Sequence, residues 1–192
     1  MSISLKLTFK MTYRIAATIA IVIAVVACDK KAEAPKAISP FQPTATIQEL
    51  MISVIDPNVD PIWNSIQTIS TAEGIEEKKP ATDEEWTVLK NHAIALREVS
   101  NLLVIEGRKV AHSSTSTVAA ELSPLEIAKL IANNRPAFIN NAHDLHAAVT
   151  LAIAAIDAKD VAALEAAGGI IDEACEKCHS QFWYPGDKAP TR

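Results

Sequence analysis

Three side chains near the C-terminus have the types and spacing needed to hold a metal cofactor covalently. Cys175-Glu176-Lys177-Cys178-His179 has the form C-x-x-C-H, which is the attachment signal for c-type haem. On a helix, positions i, i+3 and i+4 share one face, so both sulfur atoms point to the same side. The two cysteines can then bond the vinyl-derived carbons of one porphyrin, while His179 is an axial ligand to the iron. The motif therefore predicts one covalent haem c.

Two other uses of the cysteine pair stay open. A disulfide between Cys175 and Cys178 could form in an oxidising compartment, although a thioredoxin-like motif would need a βαβ setting of which the sequence shows no sign. Zinc would need a second pair of ligands. The remaining cysteine, Cys28, lies far away at the end of the N-terminal apolar segment.

Met51 is the candidate for a sixth ligand to the iron. It falls on the same apolar helical stripe as Ile47 and Val54, so its thioether is expected to face the interior, where a haem would lie. The alternative is that Met51 only packs in the core, as methionines on apolar stripes usually do.

Histidines compete with Met51 for this role. His143 and His146 lie at i, i+3 on the predicted third long helix, and His92 lies on the second. Exposed histidines are commoner than ligands, and His112, in a polar loop, is given no role.

A few further residues could touch the cofactor. Gly168-Gly169 would allow close approach of a macrocycle or of a neighbouring chain segment, since helix interiors otherwise disfavour glycine. Arg97, Arg108 and Lys177 could pair with propionates, but solvated charges are the simpler expectation. Three tryptophans are expected either in the core or beside the haem: Trp63, Trp86 and Trp183.

The elements that must position these residues are helices. The composition favours helix, with only five glycines. A first amphipathic helix begins near Thr44, is kinked by Pro57 and Pro61, and ends at Gly74. A second begins at a Thr82 capping box and runs to about Gly107.

The C-terminal half predicts three more helices. Residues 109–122 are expected to be a polar loop without core residues. A short helix begins at a Ser123 capping box, a third long helix runs from Pro136 to about Ala158, and a fourth begins at Asp160 and is stopped by Pro185. No repeat or strand signal is found. The fold class predicted is all-α, an antiparallel four-helix bundle with a short extra helix before the third long helix.

The N-terminus reads as an export signal rather than as part of the fold. Residues 1–27 are basic and then apolar, too short a run for the ~20 apolar residues of a spanning helix, which is the alternative. Val25-Val26-Ala27-Cys28 resembles a lipobox, so Cys28 is predicted to be lipidated and to anchor the protein to a bilayer. Asp29 resembles an inner-membrane retention signal. Residues 28–43 would then be a flexible tether, 44–184 the haem domain and 185–192 a tail.

Charge restricts the partners. Removal of residues 1–27 takes away three of the 18 basic side chains and none of the 23 acidic ones, which leaves a formal charge of −8. Nucleic-acid binding is disfavoured. A redox partner protein with a basic docking face is the natural complement.

An exported helical chain with C-x-x-C-H near its end and Phe182 shortly after it resembles the class II c-type cytochromes, that is, cytochromes c′ and their low-spin relatives. The resemblance covers roughly residues 44–184, and only the haem motif is specific. It implies a haem inserted among four helices and bound to the last one. It also implies either a methionine ligand from the first helix with electron transfer, or an open apolar distal site with nitric oxide or carbon monoxide binding. Relatives that form homodimers through the first two helices make a homodimer an open alternative.

The leading hypothesis is thus a periplasmic, inner-membrane-anchored monohaem cytochrome that carries one electron. Gas binding at an open distal site is the second hypothesis. A structural lipoprotein with an incidental disulfide is the third. No catalytic triad, phosphate-binding loop or paired-carboxylate site is found, so an enzyme is not expected.

Overall fold

The computed structural model describes residues 40–116, 118 and 120–186, and these residues are mostly helical. The predicted export signal 1–27, Cys28, Asp29, most of the tether and the end of the tail lie outside the described residues. Within the described part, no helix is both long and apolar enough to cross a membrane.

The first helical stretch is built from three consecutive segments, here called the first-helix region (residues 47–63). Helix α1 spans Ile47–Leu50, a π-helical turn spans Met51–Ile55, and α2 spans Asp56–Trp63. The π turn is marked by the Asp56 amide, which donates to the carbonyl of Met51 five residues back. Pro57 and Pro61 lie within α2 rather than ending the helix.

A β-hairpin follows, and it contradicts the prediction of a helical segment ending at Gly74 without strands. Strands β1 (Gln67–Thr71) and β2 (Gly74–Lys78) pair antiparallel, with Thr71 opposite Gly74. Gly74 has φ of 138°, a backbone conformation that favours glycine. The β-branched residues on both sides of this turn stabilise strands. The first-helix prediction was therefore about ten residues too long.

Of the helices that follow, three begin where the capping signals predicted, and one begins a residue before the predicted start at Pro136. Helix α3 spans Asp83–Leu103, α4 spans Pro124–Asn133, α5 spans Arg135–Ala158 and α6 spans Val161–Phe182. Thr82 and Ser123 form capping boxes, and Asp160 caps α6 by accepting from the Ala163 amide at 3.0 Å. Helix α3 ends four residues before Gly107.

The loop before α4 contributes to the core. The prediction that residues 109–122 form a loop without core residues was therefore wrong at Val110. Val110 is buried, and the carbonyls of Lys109 and Val110 accept from the amides of Ile47 and Gln48 at 2.9 Å. This loop therefore satisfies amides at the start of the first-helix region.

The core lies where the helices meet. Helix α5 packs against both α6 and α3, and the first-helix region packs against α3 and α6. The buried residues follow helical stripes, for example Leu164, Ile171 and Phe182 along α6. A mostly helical fold is confirmed, while the antiparallel four-helix bundle stays a prediction.

Candidate functional site

The four residues predicted to hold the cofactor line one small cavity. Met51 comes from the π turn, and Cys175, Cys178 and His179 come from α6. The cavity measures about 50 Å³. Its other walls are mainly apolar: Ile55, Val59, Trp63, Leu103, Phe138, Ala142, Leu145 and Ala174, with Asp56 and Asn141 as further polar groups.

Helix α6 puts the cysteines and the histidine into this wall because its apolar stripe passes through them. Gly168 and Ile171 are buried, and Cys175, Cys178 and His179 continue the stripe half-buried. Burial raises the pKa of the Cys178 thiol to about 12, and the nearby Cys175 adds to the rise while a hydrogen bond from Asn141 opposes it.

That pKa bears on the choice of ligand chemistry. Zinc sites use cysteine thiolates, which burial disfavours at Cys178. A thioether carries no charge, so an apolar wall does not penalise it. The apolar surroundings of Cys178 therefore suit an uncharged thioether, while a bound metal ion would itself deprotonate a ligating thiol. Within the described residues, no group of three or more histidine, cysteine, aspartate or glutamate side chains is placed to hold such an ion.

His179 lies against two aromatic rings at the end of α6. The ring centroid of Trp183 lies 5.7 Å from that of His179, and the Tyr184 ring lies 6.1 Å away, edge-on. Tyr184 is buried, and its hydroxyl donates to a carboxylate oxygen of Glu176 at 2.9 Å. These contacts fix the chain directly after His179 and restrict how its imidazole can turn.

Helices α5 and α6 are joined beside the cavity by three cross-links. The rings of Phe138 and Phe182 meet edge-on at 5.5 Å, and Lys177 donates to Asp144 at 2.7 Å. Between them, Asn141 Nδ2 donates to Gln181 Oε1 at 2.9 Å. This set, the α5–α6 wall, holds the side of the cavity that carries the cysteines.

Trp63 separates the small cavity from a second one of about 250 Å³. Its indole Nε1 donates to the Gly168 carbonyl at 3.0 Å. A Cβ at Gly168 would lie 3.4 Å from Trp63 Cδ1, whereas a Cβ at Gly169 would meet nothing within 4 Å. The close approach expected at Gly168 is thus made by an indole ring, which packs the end of the first-helix region against α6.

The volume of the cavity at the cysteines limits which cofactor it can hold. Pockets for cofactors and comparable ligands occupy about 300–1,000 Å³, so a macrocycle needs more room than the cavity at the cysteines offers. The two cavities beside Trp63 together approach the lower end of that range. The residue types around the smaller cavity fit a haem, while the volume of that cavity in this conformation does not hold the macrocycle.

The histidines predicted as competing ligands lie elsewhere. His92 Nδ1 is 2.9 Å from Asn58 Oδ1, and neither His143 nor His146 lines the cavity. His112 pairs with Glu49 at 3.3 Å.

The basic residues considered for propionates have protein partners. Arg108 Nε donates to the Leu102 carbonyl at 2.8 Å, Lys177 pairs with Asp144, and Arg97 Nε lies 3.7 Å from Glu98.

Another cavity, of about 580 Å³, lies between the hairpin and the start of α3 and includes none of the predicted site residues. No family model, curated protein or solved structure matches this chain.

Sequence reasoning missed Asn141 and the Trp63–Gly168 contact. A signal for Asn141 was present, because it interrupts the apolar i, i+3, i+4, i+7 stripe of α5 between Phe138 and Leu145. The Trp63 contact joins residues 105 positions apart, and no local pattern encodes such a pairing.

Proposed function

We propose that this protein is a membrane-anchored, periplasmic monohaem c-type cytochrome that transfers single electrons, folded as an antiparallel four-helix bundle of the class II kind. The observation that carries the proposal is that Met51, Cys175, Cys178 and His179 line a single, mainly apolar cavity. The packing of α5 on α6 and α3, with the first-helix region against α3 and α6, supports the bundle.

Each residue has a definite role in this proposal. Cys175 and Cys178 would hold the cofactor through thioether bonds. His179, whose ring is restricted by Trp183 and Tyr184, would bind the iron. The haem, when bound, supplies a one-electron couple. Met51 supplies a neutral thioether ligand, which favours ferrous iron and raises the reduction potential.

The anchor and the charge define the partners. A lipidated Cys28 holds the domain at the inner membrane, which raises its local concentration beside membrane redox proteins. Two exposed carboxylates line the cavities beside Trp63, Asp56 the smaller one and Asp172 the larger one. They suit a partner protein with a basic docking face.

Gas binding is the second candidate, and one observation favours it. Ile55, Val59 and Leu103 give part of the cavity wall an aliphatic character. If Met51 packs there without binding the iron, the sixth position would be open to nitric oxide or carbon monoxide.

The test is expression of the full chain in a host with a c-type haem maturation system, followed by denaturing electrophoresis and intact-mass measurement. We expect one haem to remain on the denatured wild-type chain and none on the Cys175→Ala/Cys178→Ala variant. Cys28→Ala is the matched control, because it should keep the haem but release the protein from the membrane fraction.

Other results would reject parts of the proposal. A wild-type chain without covalent haem would overturn it and leave a structural lipoprotein with a disulfide. A haem protein whose spectrum shifts strongly under carbon monoxide would favour the gas-binding function.

A further inference from the structure

The hairpin receives little support from the rest of the described structure. Strands β1 and β2 pair with each other, and no described helix packs against either strand. A cavity of about 580 Å³ lies between Lys78, at the end of β2, and the start of α3. A two-stranded hairpin is only marginally stable in water unless a third strand or a helix packs on it. Within the described residues, the hairpin therefore lacks the packing that its stability requires.

The two strands of the hairpin differ in how their outer edges are protected. Natural proteins protect edge strands with charges, prolines or bulges. Strand β2 carries Glu76, Glu77 and Lys78. Strand β1 contains no charged residue and no proline, and its register with β2 has no bulge. Of the two edges, only that of β1 is without protection.

The outer edge of β1 is also accessible. The sheet consists of these two strands alone among the described residues. The three central residues of β1, Thr68, Ile69 and Ser70, are exposed. An unpaired edge offers a row of backbone N–H and C=O groups to which a strand of another chain can be added.

The residue pattern of β1 is complementary to itself. If two copies of β1 run antiparallel and are centred on their middle residue, Ile69 lies opposite Ile69 of the second copy. Thr68 then lies opposite Ser70 of the second copy, and the same pair recurs on the other side of the centre. Paired hydroxyls stabilise antiparallel sheets, and the isoleucine pair buries apolar surface.

Charge disfavours the equivalent pairing through β2. Two copies of β2 centred in the same way would place Glu76 directly opposite Glu76 of the second copy, and like charges in that position are destabilising. Pairing of β1 with β2 of a second copy would leave one edge unused on each chain, so further copies could add without end. Pairing of β1 with β1 about a two-fold axis uses the same edge on both chains and closes.

We propose that β1 is a dimerisation edge, through which two copies of this chain form one four-stranded antiparallel sheet. The charged β2 strands lie outermost in this sheet, where they protect its edges. The inference depends neither on the haem nor on a helix face. Five residues from each chain bury much less than the roughly 1,600 Å² of a standard interface. The dimer is therefore weak and reversible.

The experiment uses cysteine cross-linking, because the proposed two-fold axis passes through a single position. Residues directly opposite each other in an antiparallel pair have Cα atoms about 4.5–5.5 Å apart, which suits a disulfide. Only Ile69 lies opposite its own counterpart. Ser70 of the second copy is displaced by two residues from the position opposite Ser70, which puts the two Cα atoms beyond the reach of a disulfide.

Full-length wild type, Ile69→Cys, Ser70→Cys and Ile75→Cys are expressed, treated in the cells with a mild oxidant and separated by non-reducing electrophoresis. Wild type gives the background from the natural cysteines. We expect Ile69→Cys to shift from the monomer band to a band of twice the mass, and Ser70→Cys to stay near background. Ile75→Cys is the control for random collision, because Ile75 on β2 is 74 % exposed against 41 % for Ile69. It should also stay near background.

A second measurement tests the dimer without a cross-link. Sedimentation of the purified full chain should show a concentration-dependent dimer. Ile69→Lys places like charges opposite each other and removes the isoleucine pair, so it should raise the dissociation constant about tenfold. The matched variant Ile75→Lys should leave that constant nearly unchanged.

Three cross-linking results would overturn the proposal. The first is an Ile69→Cys dimer band no stronger than the wild-type background. The second is equal cross-linking of Ile69→Cys and Ile75→Cys, which would indicate collision alone. The third is a disulfide between Ile69→Cys and a different protein, which would mean that the strand added to β1 comes from another partner.

Discussion

The two sides of the cavity are built in opposite ways. The α5–α6 wall joins two regular helices of 24 and 22 residues through an aromatic pair, an amide pair and an ion pair. The first-helix region reaches the same cavity through a π turn and a helix that contains two prolines. One side fixes the cysteines and His179, and the other presents Met51 from an irregular backbone.

The difference indicates which side can adapt to a cofactor. Pro57 and Pro61 donate no backbone hydrogen bond, so carbonyls one turn earlier lose their usual partners. The side chain of Asn58, between the two prolines, donates to the Val54 carbonyl at 2.7 Å. Segments with fewer backbone bonds open at lower free energy, and π turns are frequent at functional sites. The first-helix region is therefore the side expected to move if the cavity is to enlarge.

The largest effect should come from truncating buried side chains on the two sides. Leu145→Ala leaves a cavity in the α5–α6 wall that cannot collapse, so it should cost about 4 kcal/mol of unfolding free energy. Ile55→Ala, in a region that can relax, should cost about 2 kcal/mol. Urea unfolding measures both, and Leu151→Ala, at an exposed position of α5, should change little. Equal costs for Leu145→Ala and Ile55→Ala would show that the first-helix region relaxes no more than the α5–α6 wall.

The next effect concerns the contact between the two sides. Gly168→Val places branched methyl groups against Trp63 and should lower the unfolding free energy by about 1–3 kcal/mol. Gly169→Ala is its matched control, because its Cβ meets nothing and alanine favours helix by about 0.5–1 kcal/mol. Thermal unfolding should therefore shift in opposite directions for the two variants. A stabilising Gly168→Val would show that Trp63 does not rest on this glycine.

A smaller effect should follow from removing one hydrogen bond. Trp63→Phe keeps an aromatic ring but loses the bond from Nε1 to the Gly168 carbonyl, at a cost of about 1 kcal/mol. Amide hydrogen exchange should accelerate in residues 47–63 and stay unchanged in α5. Uniform acceleration over both would mean that the first-helix region does not open separately.

The smallest effect depends on pH. Hydrogen bonds from the Thr46 amide and hydroxyl lower the pKa of Glu49 below its ordinary value of 4.5. A carboxylate with a lowered pKa stabilises the fold fully above pH 4.5 and loses that contribution as pH falls through the folded-state pKa. The protection of amides in residues 47–63, that is, the intrinsic exchange rate at the same pH divided by the observed rate, should therefore fall below pH 4.5. Glu49→Gln should show faster exchange already at neutral pH, and an unchanged rate there would refute the role of this cap.

Much of the helical fold could be predicted because its signals are local. Thr82, Ser123 and Asp160 each mark a helix start through a side chain that bonds an amide three residues later. The cysteines, His179 and Met51 were placed on inward-facing stripes by simple helical periodicity, and all four line the cavity.

The features that could not be predicted are those without a local signal. The hairpin has no buried stripe, because Ile69 and Ile75 are 41 % and 74 % exposed, so its alternation carried no hydrophobic pattern. The π turn holds one more residue than an α-helical turn, and the residue types of Met51–Ile55 do not distinguish it from an α-helix. The contacts of Trp63 and Asn141 with α6 depend on tertiary packing alone.

The most direct test of the account is the visible absorption spectrum of the haem-loaded protein, oxidised and reduced, for wild type, Met51→Leu and Ile52→Leu. With residues 1–27 removed, Met51 is the sole methionine of the chain, and Ile52 is its exposed neighbour on the π turn. We predict narrow low-spin bands in the wild type and Ile52→Leu, and broad high-spin bands in Met51→Leu. Identical spectra for all three would contradict ligation by Met51. A wild-type chain without haem bands would contradict the proposal that the protein is a c-type cytochrome.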